Sequence, residues 1–213
     1  MRQPFLSLLF AAAVAGSLSA CDSKPAAMGA AASAGPAQAP AREERGERTG
    51  TGASPLNGIA NKLKALQALP ALSDDDVRQL LPAALAGRTR GPVSFTNAAG
   101  KCASASYGKA GAAIQVDVTD CAGEAGSGKY LMAYDAPLAA EDSPPVTPET
   151  ATLTTQKKVA FAGRPAITRH DPVNDEYSMT FLGKDRFLVF LSGEKGVSLA
   201  KLLDFATQLD ARL

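Results

Sequence analysis

Glu176-Tyr-Ser-Met-Thr-Phe-Leu182, Gly183-Lys-Asp185 and Arg186-Phe-Leu-Val-Phe-Leu191 decide the fold. In the first run Tyr177, Met179 and Phe181 alternate with Ser178 and Thr180. That two-residue period is the signature of a strand with one apolar face. The apolar set reads as core and not as a ligand surface. Gly183–Asp185 supplies a turn. Phe187 to Leu191 is then apolar at every position, which predicts a central strand covered on both faces.

Working outward, Lys158–Ala162 and Ala166–His170 read as two further strands, with turns at Gly163-Arg164 and Asp171–Asp175. Cys102–Tyr107 and Ala113–Thr119 flank a Gly108-Lys-Ala-Gly-Ala turn and predict another hairpin. In it Ile114, Val116 and Val118 alternate with Gln115, Asp117 and Thr119, as in a sheet wet on one side. Pro92–Thr96 is a shorter strand. Residues 123–150, rich in Gly, Pro, Ala and acids, are expected to be mostly irregular.

Helices bracket these strands. Ile59, Leu63, Leu66 and Leu69 recur at helical spacing, and Pro70 ends the run. Ser73 stands before Asp74-Asp75-Asp76, an N-cap followed by acids at the positive helix end. Val77, Leu80 and Leu81 form its apolar face, extending toward Leu85. Ser198 caps a last helix with Leu199, Leu202, Leu203, Ala206 and Leu209 on one stripe. The sum is an α+β domain, an antiparallel sheet of about five to seven strands packed by helices from both ends of the chain.

Composition narrows the function. The chain of 213 residues is 46% hydrophobic and 20% charged, ordinary for a globular protein. Its formal net charge is +1, and without Arg2 its 22 bases become 21 against 21 acids. Such a balance offers no broad field to nucleic acid. No cofactor is implied.

The start of the chain is different in kind. Arg2 is followed by the apolar run from Phe5, short of the roughly 20 residues of a membrane-crossing helix. One base, an apolar stretch and then small residues make an export signal over residues 1–20. It ends in Leu18-Ser19-Ala20-Cys21, which resembles the lipobox of bacterial lipoproteins. The resemblance implies cleavage before Cys21, a diacylglycerol on its thiol, and a periplasm-facing lipid anchor. Asp22 resembles the inner-membrane retention signal of enteric bacteria, a rule that varies between groups. Residues 21–55 carry that cysteine and an Ala-, Gly-, Pro- and Ser-rich stretch with the charged patch Arg42–Arg48, a composition that reads as a tether. Residues 56–213 form one domain. Over residues 73–213, patterns such as Ala103-Ser-Ala-Ser-Tyr107 and Asp185-Arg-Phe-Leu-Val189 are similar to those of a loose class of bacterial lipoproteins, a likeness that implies no activity.

Candidate chemistry is sparse. With Cys21 assigned to the lipid, Cys102 and Cys121 are expected to form a structural disulfide, as an even remainder in an oxidising compartment would. Gly123-Glu-Ala-Gly-Ser-Gly128-Lys129 matches the phosphate-loop pattern after a strand. Tyr130, however, stands where magnesium needs Ser or Thr, and Pro137 follows too soon for the usual helix. A Gly-rich loop without nucleotide is expected. His170 is the only histidine and reads as a turn residue paired with Asp171. One histidine is too few for a usual zinc site, and Asp74–Asp76 lack calcium-loop spacing. No metal or catalytic residue is nominated. The expected role is a non-enzymatic binding module with a protein or envelope partner. The alternatives are an inhibitor or immunity lipoprotein and, behind it, an envelope hydrolase using His170.

Overall fold

The computed structural model describes residues 55–213. Cys21, the export signal and most of the expected tether lie outside the described residues. The chain begins with helix α1 (Pro55–Ala68) and the short α2 (Asp74–Gln79). A two-residue hairpin, β1 (Ala84–Leu85) and β2 (Arg88–Thr89), leads to β3 (Ser94–Thr96), β4 (Lys101–Tyr107) and β5 (Ile114–Asp120). A helical stretch follows, comprising α3 (Gly123–Tyr130), one π-helical turn (Leu131–Asp135) and α4 (Ala136–Ala139). The chain ends in β6 (Thr155–Phe161), β7 (Arg164–Asp171), β8 (Glu176–Gly183), β9 (Phe187–Gly193) and α5 (Leu199–Asp210).

Seven strands form one antiparallel sheet in the order β3-β4-β5-β9-β8-β7-β6. This is the α+β architecture expected. β9, the run that is apolar at every position, occupies the middle of the sheet. The last strand of the chain joins two meanders, β3-β4-β5 and β6-β7-β8, that no local turn could connect.

The sheet has two unlike faces. One carries Ala103, Tyr107, Ile114, Val116, Val118 and Val189, with Met179 and Phe181 beside them. It is sealed by Val77 and Leu81 near α2 and by Leu202, Phe205, Ala206 and Leu209 of α5. Tyr107 is fully buried, donates to Pro82 O at 2.8 Å and meets Phe205 edge-on at 5.1 Å. Its hydroxyl is satisfied where water cannot reach, and burial pushes its pKa up to about 12.

The other face is covered in part. Leu66 of α1 and Tyr130 and Tyr134 of the helical stretch pack on Cys121, Ile167, Leu182 and Leu188. Tyr134 donates to Pro165 O at 2.6 Å, which ties the π turn to the start of β7.

Several expectations are corrected. Residues 123–139 are helical, not irregular. Glycine disfavours helix locally, but here it permits packing that a larger residue forbids. A Cβ on Gly126 would sit 2.5 Å from Asp120 O and 2.6 Å from Cys121 C. Only glycine lets α3 rest directly on the end of β5. Pro137 stands at the start of α4, a position proline tolerates. The second helix also ends earlier than expected. Leu85 reaches the core from β1, through a turn with positive φ at Ala86 and Gly87.

Candidate functional site

Where the helices stop covering the second face, a cleft of about 540 Å³ opens. Its floor is the sheet. Register places Ser104, Asp117, Phe190 and Thr180 side by side across β4, β5, β9 and β8. Cys102, Thr119 and Leu188 form the adjoining row, deeper under the helices. One wall is the π turn, which carries Met132 and Ala133, with Pro137 just beyond it. Met132 is 72% exposed, an unusual position for so large an apolar side chain. The opposite wall is Thr96 and the bend through Ala98, Ala99 and Gly100. Single π turns recur at functional sites because they displace side chains from helical register.

The cleft mixes charge. Asp117 supplies an acid on the floor, while Lys129 and Arg169 supply bases at the rim. Arg169 Nε donates to Gln156 Oε1 at 3.0 Å, which orients the guanidinium on the sheet surface. Beyond the cleft the next row is wholly polar, running Ser106, Gln115, Ser192, Ser178, Arg169 and Gln156 across six strands. The four inner strands of that row are hydrogen-bonded to neighbours on both sides. Their main-chain groups are therefore spent, and recognition on this surface falls to side chains.

Phe190 corrects a further expectation. β9 is covered on both faces at Phe187, Leu188 and Val189, but Phe190 is only half-buried, because the helical cover ends over Leu188.

The expected bridge between Cys102 and Cys121 is not formed, and both are free thiols. Cys102 pairs across the sheet with Thr119, and Cys121 lies two residues further along. This diagonal offset takes the two sulfurs away from the directly opposed position that suits a disulfide. Cys102 lies on the cleft floor, half-buried. Cys121 is fully buried, and burial pushes its thiol up to about 12.

The glycine-rich segment is not a phosphate loop. Its glycines lie inside α3 and not ahead of it, so they form no cradle of loop N–H groups. Lys129 instead reaches the cleft from the end of that helix.

His170 is elsewhere, at a second cavity of about 500 Å³ beside Lys157, Tyr177 and the segment Ser143–Val146. It does not pair with Asp171, whose carboxylate accepts from Val173 N, Asn174 N and Asn174 Nδ2 and is held below its ordinary pKa by the Asn174 bonds. His170 stacks on Tyr177 at 4.3 Å, and its Nε2 lies 3.8 Å from Asp175 Oδ1 without a hydrogen bond. Among the described residues no hydroxyl in bonding reach of that nitrogen makes a nucleophile–base pair.

The three acids after Ser73 are engaged one by one. Asp76 completes a capping box with Ser73, Asp75 pairs with Arg78 at 3.0 Å, and Asp74 pairs with Lys101 at 2.8 Å. Among the described residues no three His, Cys, Asp or Glu side chains gather as a metal would need, and no helix is long and apolar enough to cross a membrane. Compared with known proteins, the chain matches no family model, no curated protein and no solved structure.

Proposed function

We propose that this chain is a lipid-anchored binding module of the bacterial envelope, and that the cleft over Phe190 is where it binds. Residues 1–20 direct export and Cys21 takes the lipid. Residues 21–55 hold the domain at a distance from the membrane, facing the periplasm. The single observation that carries the binding role is the unfinished cover of the second sheet face. Helices seal the apolar half and stop at the row of Ser104, Asp117, Phe190 and Thr180, leaving an aromatic ring and a carboxylate beside an exposed methionine. A mostly apolar concavity with a few convergent polar groups is the usual form of a ligand site.

The test uses the full-length anchored protein in its own envelope. Met132→Cys places a thiol on the rim, and Val173→Cys places one at the exposed β7–β8 turn outside the cleft. In intact envelopes the Met132→Cys thiol should be shielded from a maleimide and the Val173→Cys thiol should not. After purification in detergent both should react alike. Equal labelling of both thiols in the envelope would remove this reading.

A further inference from the structure

Resting on that reading, we infer that the ligand is a neutral oligosaccharide, lying across the strands with one sugar ring seated over Phe190 and its hydroxyls on the polar rows beside it. Charge complementarity selects the ligand class first. Asp117, Lys129 and Arg169 line one cleft, so neither a polyanion nor a polycation meets a field of one sign. A neutral ligand with many donors and acceptors meets no repulsion there.

The floor then excludes the main-chain mode of peptide capture. Peptides that join a sheet do so along an open edge, through unpaired N–H and C=O groups. Here the floor strands β4, β5, β9 and β8 are each paired on both sides. What they offer is hydroxyl, carboxylate and amide side chains, each able to bond a sugar hydroxyl.

The apolar and polar groups lining the cleft also match the two aspects of a sugar ring. A pyranose presents C–H groups on its face and hydroxyls around its rim. Phe190 and Met132 supply apolar contact for the face, while Ser104, Asp117 and Thr180 supply partners for the rim. The polar row from Ser106 to Gln156 continues this surface across six strands, about 24 Å at the spacing of neighbouring strands. That length suits a chain of several sugars and exceeds what a single sugar would use.

The experiment takes the full-length protein in detergent micelles and titrates it with chitotetraose and with maltotetraose, following binding by calorimetry. Tetra-alanine and phosphatidylglycerol vesicles serve as peptide and lipid probes. Saturable binding of at least one tetrasaccharide is expected, together with protection of the Met132→Cys thiol by that sugar. Phe190→Ala should weaken it at least about five-fold through the lost ring contact. Because Phe190→Ala removes a whole ring, the smaller changes Ser104→Ala and Asp117→Asn, at positions likewise half-buried, are run beside it, and each should weaken binding while the melting temperature stays constant. If neither sugar binds while Met132→Cys remains shielded in the envelope, the oligosaccharide is wrong and the binding cleft stands. Binding of tetra-alanine or of the vesicles in place of the sugars also overturns it. If shielding is absent, the cleft itself is refuted.

Discussion

Arg186 grips Asp120 with two hydrogen bonds, Nε to Oδ1 at 2.8 Å and Nη2 to Oδ2 at 2.9 Å, at the end of the central strands. Asp120 is 1% exposed and also accepts from Leu72 N at 2.9 Å and Ala122 N at 3.1 Å, while Arg186 Nη2 donates to Pro70 O at 2.7 Å. The pair fastens the α1–α2 connection and the start of α3 to the sheet. Burial opposes the charge on Asp120, but the bonds from Arg186, Leu72 and Ala122 outweigh it and hold the carboxyl below its ordinary value. A carboxyl depressed in the folded state adds stability above its unfolded pKa of about 4 and loses it as pH falls through the folded value. Denaturant melts should therefore weaken on acidification below about pH 4. Asp120→Asn should cost about 3 kcal/mol at neutral pH by leaving Arg186 without its counter-charge, and should flatten the acid limb. An unchanged acid limb in the variant would refute the assignment.

Two glycines of α3 should respond oppositely to alanine. Gly126→Ala drives a methyl into the backbone of Asp120 and Cys121, which cannot give way as a side chain tip could. The expected loss is about 2 kcal/mol. Gly128 has nothing within 4 Å of where its Cβ would stand. Gly128→Ala should stabilise by about 0.5–1 kcal/mol through helix propensity alone. Urea midpoints of the two variants check the sign of each. Destabilisation by both would mean that α3 is not seated as described.

The same glycines show where the sequence stops speaking. The sheet was legible because Tyr177, Met179 and Phe181, and likewise Ile114, Val116 and Val118, repeat at the strand period, and a repeat is local information. The helix over residues 123–130 was not, because its reason lies in Asp120 and Cys121 beneath it and not in its own residues. The cleft was half legible. Gln115, Asp117 and Thr119 announced a wet sheet face, but Phe190 sits in a run without polar interruption. Its exposure depends on where the helical cover ends over Leu188, and no local pattern records that.

The cysteines should separate by reactivity. Cys102 lies half-buried on the cleft floor, while the Cys121 thiol is fully buried and raised to about 12 by burial. Only the thiolate reacts, and burial in apolar surroundings suppresses it. In the folded protein, purified without reductant, iodoacetamide should modify Cys102 and leave Cys121 untouched. In denaturant both should react without prior reduction, and dithiothreitol should leave the melting temperature unchanged. A mass two hydrogens lower than the reduced chain would contradict the free thiols.

Cys102 and Cys121 lie in the folded domain, so the proposed anchor has to be tested at Cys21 itself. No helix among the described residues is long and apolar enough to cross a bilayer, and an acyl anchor does not need one. One chain binds only marginally, with about 0.8 kcal/mol per buried CH₂, whereas two or more hold stably. Mass spectrometry of the protein extracted from membranes should show a chain beginning at Cys21 with an acyl-glycerol addition. Cys21→Ser should remove that addition and release the chain from the membrane fraction. A processed, unlipidated chain in the membrane fraction of Cys21→Ser would show that something other than this thiol holds the protein there.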